Sequence, residues 1–413
     1  MLYVARCHTM HFRDDGSFTL VVFSDLHYGE GADLDAKNDA LQKAVLDSER
    51  PDLIIYLGDL VSGWRGGSDG WMEGMMERIL AYPNSQGYSH AMLLGNHDDE
   101  ADLSRREILN MDVLLSGDLS FTRSGPFDIT GASNYHVDVL SSIGDGSVVS
   151  RLWFFDSMNR GCEGNGASWG CVGKDTVEWM DRTSRELDPV DQSVAFLHIP
   201  LPEHRLAWGD RRTVGVRQED SACPVVNTGL TKQLLKSNIS MVVSGHDHQN
   251  DFLGNIYLSA EAIQSQIDNT SSTGDFQPGA GSPGYGDVPM MMAYSRKSGY
   301  GSYGPGDITR GARVIRLWDE NAPASIQKES RMASGIYPFL SWGYPPQYLH
   351  NGPIRLMETW ITNAVGNREV QTRPYQKYQV QPECYNAAPG KEVWIGLSIL
   401  VYCLCMHTET FRF

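Results

Sequence analysis

Five short polar blocks of this sequence contain residue types that bind divalent metal ions. In chain order they are SDLH (24–27), GD (58–59), GNHD (95–98), FLH (196–198) and GHDH (245–248). Carboxylate and amide oxygens and imidazole nitrogens are ligands for hard and borderline cations. The candidate ligands are Asp25, His27, Asp59, Asn96, His198, His246 and His248. Together they could bind two neighbouring metal ions.

The spacing of these residues suits a shared, binuclear centre. Asp25 and His27 are two residues apart, so both can face one ion, and Asp59 could bridge two ions with its two oxygens. His246 and His248 alternate in sequence, and alternate side chains of an extended segment share a face. The mixed nitrogen and oxygen donors favour Mn²⁺, Fe or Zn²⁺ over Ca²⁺ or Mg²⁺. The absence of thiolates from the blocks argues against a structural zinc site.

Two such ions would support hydrolysis of a phosphoester. Ions about 3.5–4 Å apart can hold a bridging hydroxide that attacks phosphorus in line with the leaving group. His97 follows Asn96 directly and could protonate the leaving alkoxide. Asp98 or another carboxylate could orient His97, so we predict catalytic roles for His97 and Asp98.

The elements that must position these blocks are strands that end where the blocks begin. Short apolar runs predict strands over residues 18–23, 53–57, 91–94, 193–197 and 239–243. Further strands are predicted over 152–155 and 311–317, and helices over 37–48, 72–80 and 174–186. Strands that alternate with helices predict an α/β protein with a largely parallel sheet. Ligand sites of such sheets lie at the carboxyl ends of the strands, where all five blocks are expected.

Composition narrows the possible partners. The 413 residues carry a net charge of −17, which disfavours a broad nucleic-acid surface. Bound cations could still attract a phosphorylated small molecule or phosphoprotein substrate. The apolar run 393–406 is shorter than the roughly 20 residues of a membrane-spanning helix. The oligomeric state is left open.

The seven cysteines favour free thiols in a reducing compartment. Cys162 and Cys171 could pair across a Gly-rich loop if the protein were secreted. The first residues lack the apolar core of a signal peptide. We therefore predict a cytoplasmic protein, with secretion as the alternative if the true N-terminus lies upstream.

The ordered series of blocks resembles the calcineurin-like metallophosphoesterases. The stretches HIPLPEH (198–204), GVRQEDSACPVVNTGL (215–230) and GYGSYGPGDITRGARV (299–314) resemble a fungal and plant branch related to purple acid phosphatases. The resemblance covers about residues 16–318 and implies a four-layer α/β/β/α sandwich with a binuclear centre. Residues 319–413 would form a C-terminal extension of uncertain structure.

The resemblance also implies how the ligands divide. The first metal would take Asp25, His27, Asp59 and His248, and the second would take Asp59, Asn96, His198 and His246, with His97 as the catalytic acid. The chain has Ser62 where purple acid phosphatases carry a ligand tyrosine, and His27 where they carry glycine. The tyrosinate–iron colour is therefore not expected.

Two residues outside the blocks are candidate substrate contacts. His204 lies shortly after His198 and could line the entrance, although a surface-loop role is equally compatible with its position. Arg217 could contact a substrate phosphate, and the alternative is a structural salt bridge.

The predicted function is hydrolysis of phosphomonoesters by a metal-bridging hydroxide. One alternative is a phosphodiesterase that uses the same centre, because specificity depends on the surrounding loops. Another is a non-catalytic scaffold, whose sequence would be expected to lack some of the ligands.

Overall fold

The computed structural model describes residues 9–190, 192–209, 213–257, 289–304, 308–322 and 357–369. Its strands are β1 (Met10–His11), β2 (Ser17–Phe23), β3 (Leu53–Leu57), β4 (His90–Leu93), β5 (Tyr135–Leu140), β6 (Val148–Phe155), β7 (Arg160–Cys162), β8 (Asn165–Trp169), β9 (Gln192–Leu197), β10 (Met241–Ser244), β11 (Leu253–Tyr257), β12 (Pro289–Tyr294), β13 (Gly311–Trp318), β14 (Met357–Asn363) and β15 (Arg368–Glu369). Its α-helices are α1 (Ala32–Glu49), α2 (Trp71–Gln86), α3 (Arg105–Ser116), α4 (Lys174–Glu186), α5 (His204–Trp208) and α6 (Leu230–Lys236).

Two mixed sheets contain most of these strands. One sheet has the order β15-β14-β13-β2-β3-β4, and the other has the order β1-β5-β6-β9-β10-β12-β11. Strands β2, β3 and β4 are parallel neighbours, and so are β9 and β10 in the second sheet. Strands β7 and β8 form a separate two-stranded hairpin.

The two sheets pack face to face between two layers of helices. Along β2, Phe18, Leu20 and Val22 belong to the hydrophobic cluster between the sheets, whereas Val21 and Phe23 belong to the cluster beneath α1, α2 and α3. A third cluster packs the other face of the second sheet against α4, α5 and α6. Strands covered on both faces are continuously apolar, which explains the short hydrophobic runs of the sequence. The predicted four-layer α/β/β/α sandwich is confirmed.

The structure refines several sequence predictions. The strand over 53–57 and the helix over 174–186 have the predicted bounds. The strands that precede the five blocks are divided between two sheets, whereas periodicity alone suggested one largely parallel sheet. Strands β14 and β15 extend the first sheet beyond residue 318, where the sequence left the structure open.

The apolar run 393–406 and most of the Gly-rich region before β12 lie outside the described residues. Within the described ranges, none of the helices is long and apolar enough to cross a membrane.

A buried ion pair fixes the end of β4. Helix α3 begins after Ser104, whose backbone N–H and hydroxyl both donate to the Glu107 carboxylate in a capping box. The first residue of the helix, Arg105, is buried, and its Nη2 and Nε donate to the two oxygens of Asp156 over 2.6 and 3.0 Å. Arg105 also donates to the carbonyl of Gly95, so it positions the GNHD block.

We expect Arg105→Met to lower the free energy of unfolding by about 3–5 kcal/mol, because it leaves the Asp156 carboxylate buried without its partner. The matched control is Arg185→Met, which removes an exposed ion pair with Asp181 and should change stability by less than about 1 kcal/mol. Urea denaturation followed by circular dichroism measures both values. Equal losses of unfolding free energy for the two substitutions would contradict the stabilising role of the Arg105–Asp156 ion pair.

Candidate metal centre

The structure brings the candidate ligands together in two adjoining groups. Ligand atoms of Asp25, His27, Asp59 and His248 lie within 4.8 Å of one another, and those of Asp59, His198 and His246 form a second group by the same measure. All of these residues are buried. Asn96 lies beside the second group, with its Oδ1 3.2 Å from Nε2 of His198. These are the groupings that the family resemblance implied.

Asp59 is the residue that the two groups share. Its Oδ2 lies 3.6 Å from Nε2 of His27 in the first group and 3.2 Å from Nε2 of His198 in the second. Its Oδ1 instead accepts a hydrogen bond of 2.9 Å from the backbone N–H of His97. The sequence suggested that both oxygens bridge, whereas the geometry leaves Oδ2 as the oxygen that faces both groups.

Hydrogen bonds orient three of the imidazoles towards the centre. Nδ1 of His198 lies 2.8 Å from the carbonyl of Leu57, and Nδ1 of His248 lies 2.8 Å from the carbonyl of Tyr303. A carbonyl can only accept, so Nδ1 of each ring carries a proton, and Nε2 of the neutral ring presents a lone pair. This is the tautomer that a metal-binding histidine requires.

Ser62 plays the corresponding part for His27. Its hydroxyl donates to Oε1 of Glu30 over 2.6 Å, so its oxygen can accept from Nδ1 of His27 at 3.0 Å. Nε2 of His27 then faces Nε2 of His248 at 3.2 Å. Two converging nitrogen lone pairs beside two carboxylates form a set of donors that fits a divalent cation such as Mn²⁺, Fe²⁺ or Zn²⁺.

The backbone is strained at the ligands. Asp25, His27, Asp59 and His246 have φ values of 54°, 50°, 49° and 72°, in the left-handed region that side chains rarely adopt. Such conformations cost on the order of 1–3 kcal/mol each and cluster at functional sites. These backbone conformations let the loop residues direct their side chains towards the shared centre, which a regular strand or helix would not allow.

Two motif glycines permit close approach between the ligand loops. A Cβ at Gly95 would lie 2.2 Å from Oδ1 of Asp59, and a Cβ at Gly245 would lie 2.1 Å from the Ser24 hydroxyl. Both contacts are far shorter than a van der Waals separation. A side chain at either position would clash with the neighbouring loop, so close packing of the loops requires glycine in the GNHD and GHDH blocks.

A buried lysine that sequence reasoning missed lies beneath the first group. Residues 295–299 continue from β12 and hydrogen-bond to the loop that holds Asp25, with Ser298 N–H donating to Ser24 O over 2.8 Å. Nζ of Lys297 lies 3.1 Å from the carbonyl of Asp25 and is buried. Burial lowers the pKa of Lys297 to about 7, although Asp25 opposes the shift. Lysine after a strand is too common a pattern to have identified it.

His97 lies at the exposed side of the centre, with 30% of its side chain accessible. Its Nδ1 lies 2.7 Å from Oε2 of Glu100. Burial alone would lower the pKa of His97, but Asp59 and Glu100 outweigh burial and raise it. Glu100 is thus the carboxylate that orients His97.

Asp98 has a different role from the one predicted. It is completely buried, and its carboxylate accepts hydrogen bonds from the backbone N–H groups of Gly95 (2.7 Å), Leu60 (2.7 Å) and Asp59 (3.0 Å). These bonds join the GD and GNHD loops. The prediction that Asp98 is catalytic is not supported by its placement, because it faces backbone amides rather than the cleft.

The structure buries both of the predicted substrate contacts. His204 is completely buried and its ring packs against Tyr294, with centroids 5.0 Å apart, so a substrate cannot reach it. Arg217 is buried, and its Nη2 pairs with Oδ1 of Asp220 at 2.8 Å. Arg217 therefore has the structural salt bridge that was the alternative to phosphate binding.

The preference for free thiols was wrong at three of the described cysteines, because Cys223 is disulfide-bonded and so are Cys162 and Cys171. Cys162 and Cys171 form a disulfide that closes the hairpin of β7 and β8. Half of the strand residues of this hairpin are exposed, and few of them are apolar. It places Trp169 against the ligand His246, with ring centroids 4.5 Å apart. Sequence reasoning missed this tryptophan because no motif residue lies beside it in the chain.

Comparison with known proteins supports the arrangement of the motifs. The family model for calcineurin-like phosphoesterases matches residues 18–250. The chain is 28% identical over 356 residues to "Probable inactive purple acid phosphatase 14" of Arabidopsis thaliana, an alignment that covers 76% of this chain and 83% of that protein. It is 30% identical over 284 residues to "Probable inactive purple acid phosphatase 28" of the same plant, covering 60% of this chain and 69% of the relative. It is 28% identical over 265 residues to "Phosphatase DCR2" of Saccharomyces cerevisiae, covering 58% of this chain and 45% of the yeast protein.

We expect Ser62→Ala to weaken metal binding about 10–100-fold, because Nδ1 of His27 loses the partner that orients the ring. Competition with a chelator that reports Zn²⁺ or Mn²⁺ concentration measures the dissociation constants. Ser85→Ala is the matched control, since Ser85 is exposed on α2 and its hydroxyl donates only to the Tyr82 carbonyl of the same helix in the described contacts. Unchanged affinity in Ser62→Ala would show that His27 is oriented by other contacts.

Proposed function

The chain belongs to the calcineurin-like phosphoesterase family, and on that premise we propose that it is a metal-dependent hydrolase of phosphomonoesters. The observation that carries this proposal is the convergence of two ligand groups on Asp59, beside a partly exposed His97. A purely structural centre would not need an accessible imidazole held by Glu100 at its open side.

The residues present can hold two divalent ions, Mn²⁺, Fe²⁺ or Zn²⁺. Asp25, His27, Asp59 and His248 would hold one, and Asp59, Asn96, His198 and His246 would hold the other. When bound, such ions supply a hydroxide nucleophile from water at neutral pH and offset the charge of phosphoryl oxygens. The mixed donors and the neutral amide of Asn96 suit this chemistry better than a set made only of carboxylates.

The chain's own contribution to the reaction centres on His97. Because Glu100 holds Nδ1, Nε2 is the atom left to carry a proton to the leaving alkoxide. Asp98 keeps the His97 loop against the Asp59 loop through its backbone hydrogen bonds. The acid and the shared ligand are thereby held at a fixed separation.

A non-catalytic scaffold is the second candidate, and the names of the two Arabidopsis relatives favour it. In this chain, however, each ligand position of both groups carries a metal-binding residue, and hydrogen bonds orient the imidazoles of His27, His198 and His248. This completeness supports a catalytic protein.

We propose further that the protein folds in an oxidising compartment. The Cys162–Cys171 disulfide supports this secretory alternative over the cytoplasmic expectation, because such bonds rarely persist in a reducing cytosol. Peptide mapping without reduction, on protein from its native cells, should recover the two cysteines as one linked peptide. Recovery of Cys162 and Cys171 as free thiols would instead support the cytoplasmic location.

We expect metal-stripped protein to regain hydrolysis of p-nitrophenyl phosphate on addition of Mn²⁺, Fe²⁺ or Zn²⁺, and His97→Ala to lower kcat about 10²–10⁴-fold. His11→Ala is the matched control, because His11 is an exposed histidine on the edge strand β1 and should leave kcat unchanged. Bis-p-nitrophenyl phosphate is assayed in parallel.

A faster rate on the diester would promote the phosphodiesterase alternative. Two bound ions per chain without turnover of either ester would favour the scaffold.

A further inference from the structure

Three aromatic side chains surround the candidate centre, and each one packs against a different site histidine. Trp64 contacts the ring of His97 with centroids 4.3 Å apart, Trp169 contacts His246 at 4.5 Å, and Tyr303 contacts His248 at 4.1 Å. They come from three separate segments of the chain. The histidines that they contact include the proposed acid and one ligand from each metal group.

Trp64 is not a core residue. It lies in the 3₁₀ turn Gly63–Arg65 that follows the GD block, it is 43% exposed, and it belongs to none of the three hydrophobic clusters. Its described ring neighbours are His97 and, at 5.8 Å, His27. Leaving this much indole in water forgoes the stabilisation of burial. An aromatic ligand beside His97 would recover it.

Trp169 faces the other metal group from a rigid support. The Cys162–Cys171 disulfide closes its hairpin, and the Ser168 hydroxyl accepts a hydrogen bond of 3.1 Å from the backbone N–H of Val225. The Arg160 guanidinium lies 4.4 Å from the centre of the Trp169 ring. These contacts hold the indole against the ligand His246.

We propose that Trp64 recognises the aromatic ring of an aryl phosphomonoester; this proposal rests on the proposed function of the site. Trp64 contacts the imidazole that would protonate the leaving oxygen. In an aryl ester the ring is bonded directly to that oxygen, whereas a pentose separates the base of a nucleotide from it. Edge-to-face and offset contacts with indole then favour an aromatic over an aliphatic group.

The reaction balances with water as the sole co-reactant. The bond between phosphorus and the aryl oxygen breaks, and a bond forms between phosphorus and a water oxygen. The phenolate oxygen takes the proton from Nε2 of His97. Water releases one proton to solvent, and His97 is protonated again from solvent.

The test measures binding without turnover. Isothermal titration of the Mn²⁺-loaded full chain with phenylphosphonate and propylphosphonate compares a ring with an alkyl chain on the same anionic group. Trp64→Ala should weaken phenylphosphonate binding about tenfold and propylphosphonate binding less than about twofold. Trp64→Phe should restore most of the preference. Phe127→Ala is the matched control, because Phe127 is 87% exposed and stacks with Arg106, and it should change neither affinity.

Equal weakening of both phosphonates by Trp64→Ala would overturn the proposal, because the indole would then act only on the metal ligands or His97. So would the absence of any preference for phenylphosphonate in the unaltered protein, or the failure of both phosphonates to bind. Tighter binding of a nucleoside 5′-phosphonate than of phenylphosphonate would overturn the aryl assignment in favour of nucleotides.

The two proposals fail separately. A phenyl preference that depends on Trp64 in a protein without metal-dependent hydrolysis would retain the ring site and overturn the proposed function. Hydrolysis without the preference would do the reverse.

Discussion

The position of the Asp59 carboxylate is the constraint on which the rest of the site depends. Its Oδ2 must face His27 and His198 together, and the His97 amide holds its Oδ1. The residue accepts a left-handed backbone, with φ of 49°, to reach that orientation. The Asp98 carboxylate accepts a hydrogen bond from the backbone N–H of Asp59 and so helps to fix its position. A change at any of these contacts would alter both metal groups at once.

The two-sheet sandwich explains how so many ligands reach one point. Blocks after β2, β3 and β4 supply ligands from one sheet, and blocks after β9 and β10 supply them from the other. The segment after β12 then crosses to the first sheet, where it pairs with Ser24 and inserts Lys297 beneath Asp25. Close packing between the strand ends requires glycine at positions such as 95 and 245. Because the loops pack this closely, the ligand side chains have little room to move, and they are preorganised for metal binding.

The sequence predicted most of the strands and the polar blocks at their ends because both depend on local patterns. The four layers were implied by the family resemblance, since periodicity alone suggested one largely parallel sheet. Buried strands read as apolar runs, and a polar block at the end of each run is visible without any structure. The supporting residues could not be found in this way. Some supporting residues act through contacts that form only in the folded chain, and their positions in the sequence do not match a metal-binding motif. They are Glu100, Lys297, Trp64 and Trp169. The sequence left the pairing of Cys162 with Cys171 open as an alternative, because the pairing depends on a hairpin that the residue pattern did not predict.

The central claim is that Asp59 joins two metal ions, and anomalous scattering tests it most directly. Crystals grown with Zn²⁺ and measured at the zinc edge should show two peaks about 3.5–4 Å apart. One peak should lie beside Asp25, His27 and His248 and the other beside His198 and His246, each about 2.0–2.2 Å from an Asp59 oxygen. A single peak, or two peaks of which only one contacts Asp59, would contradict the account.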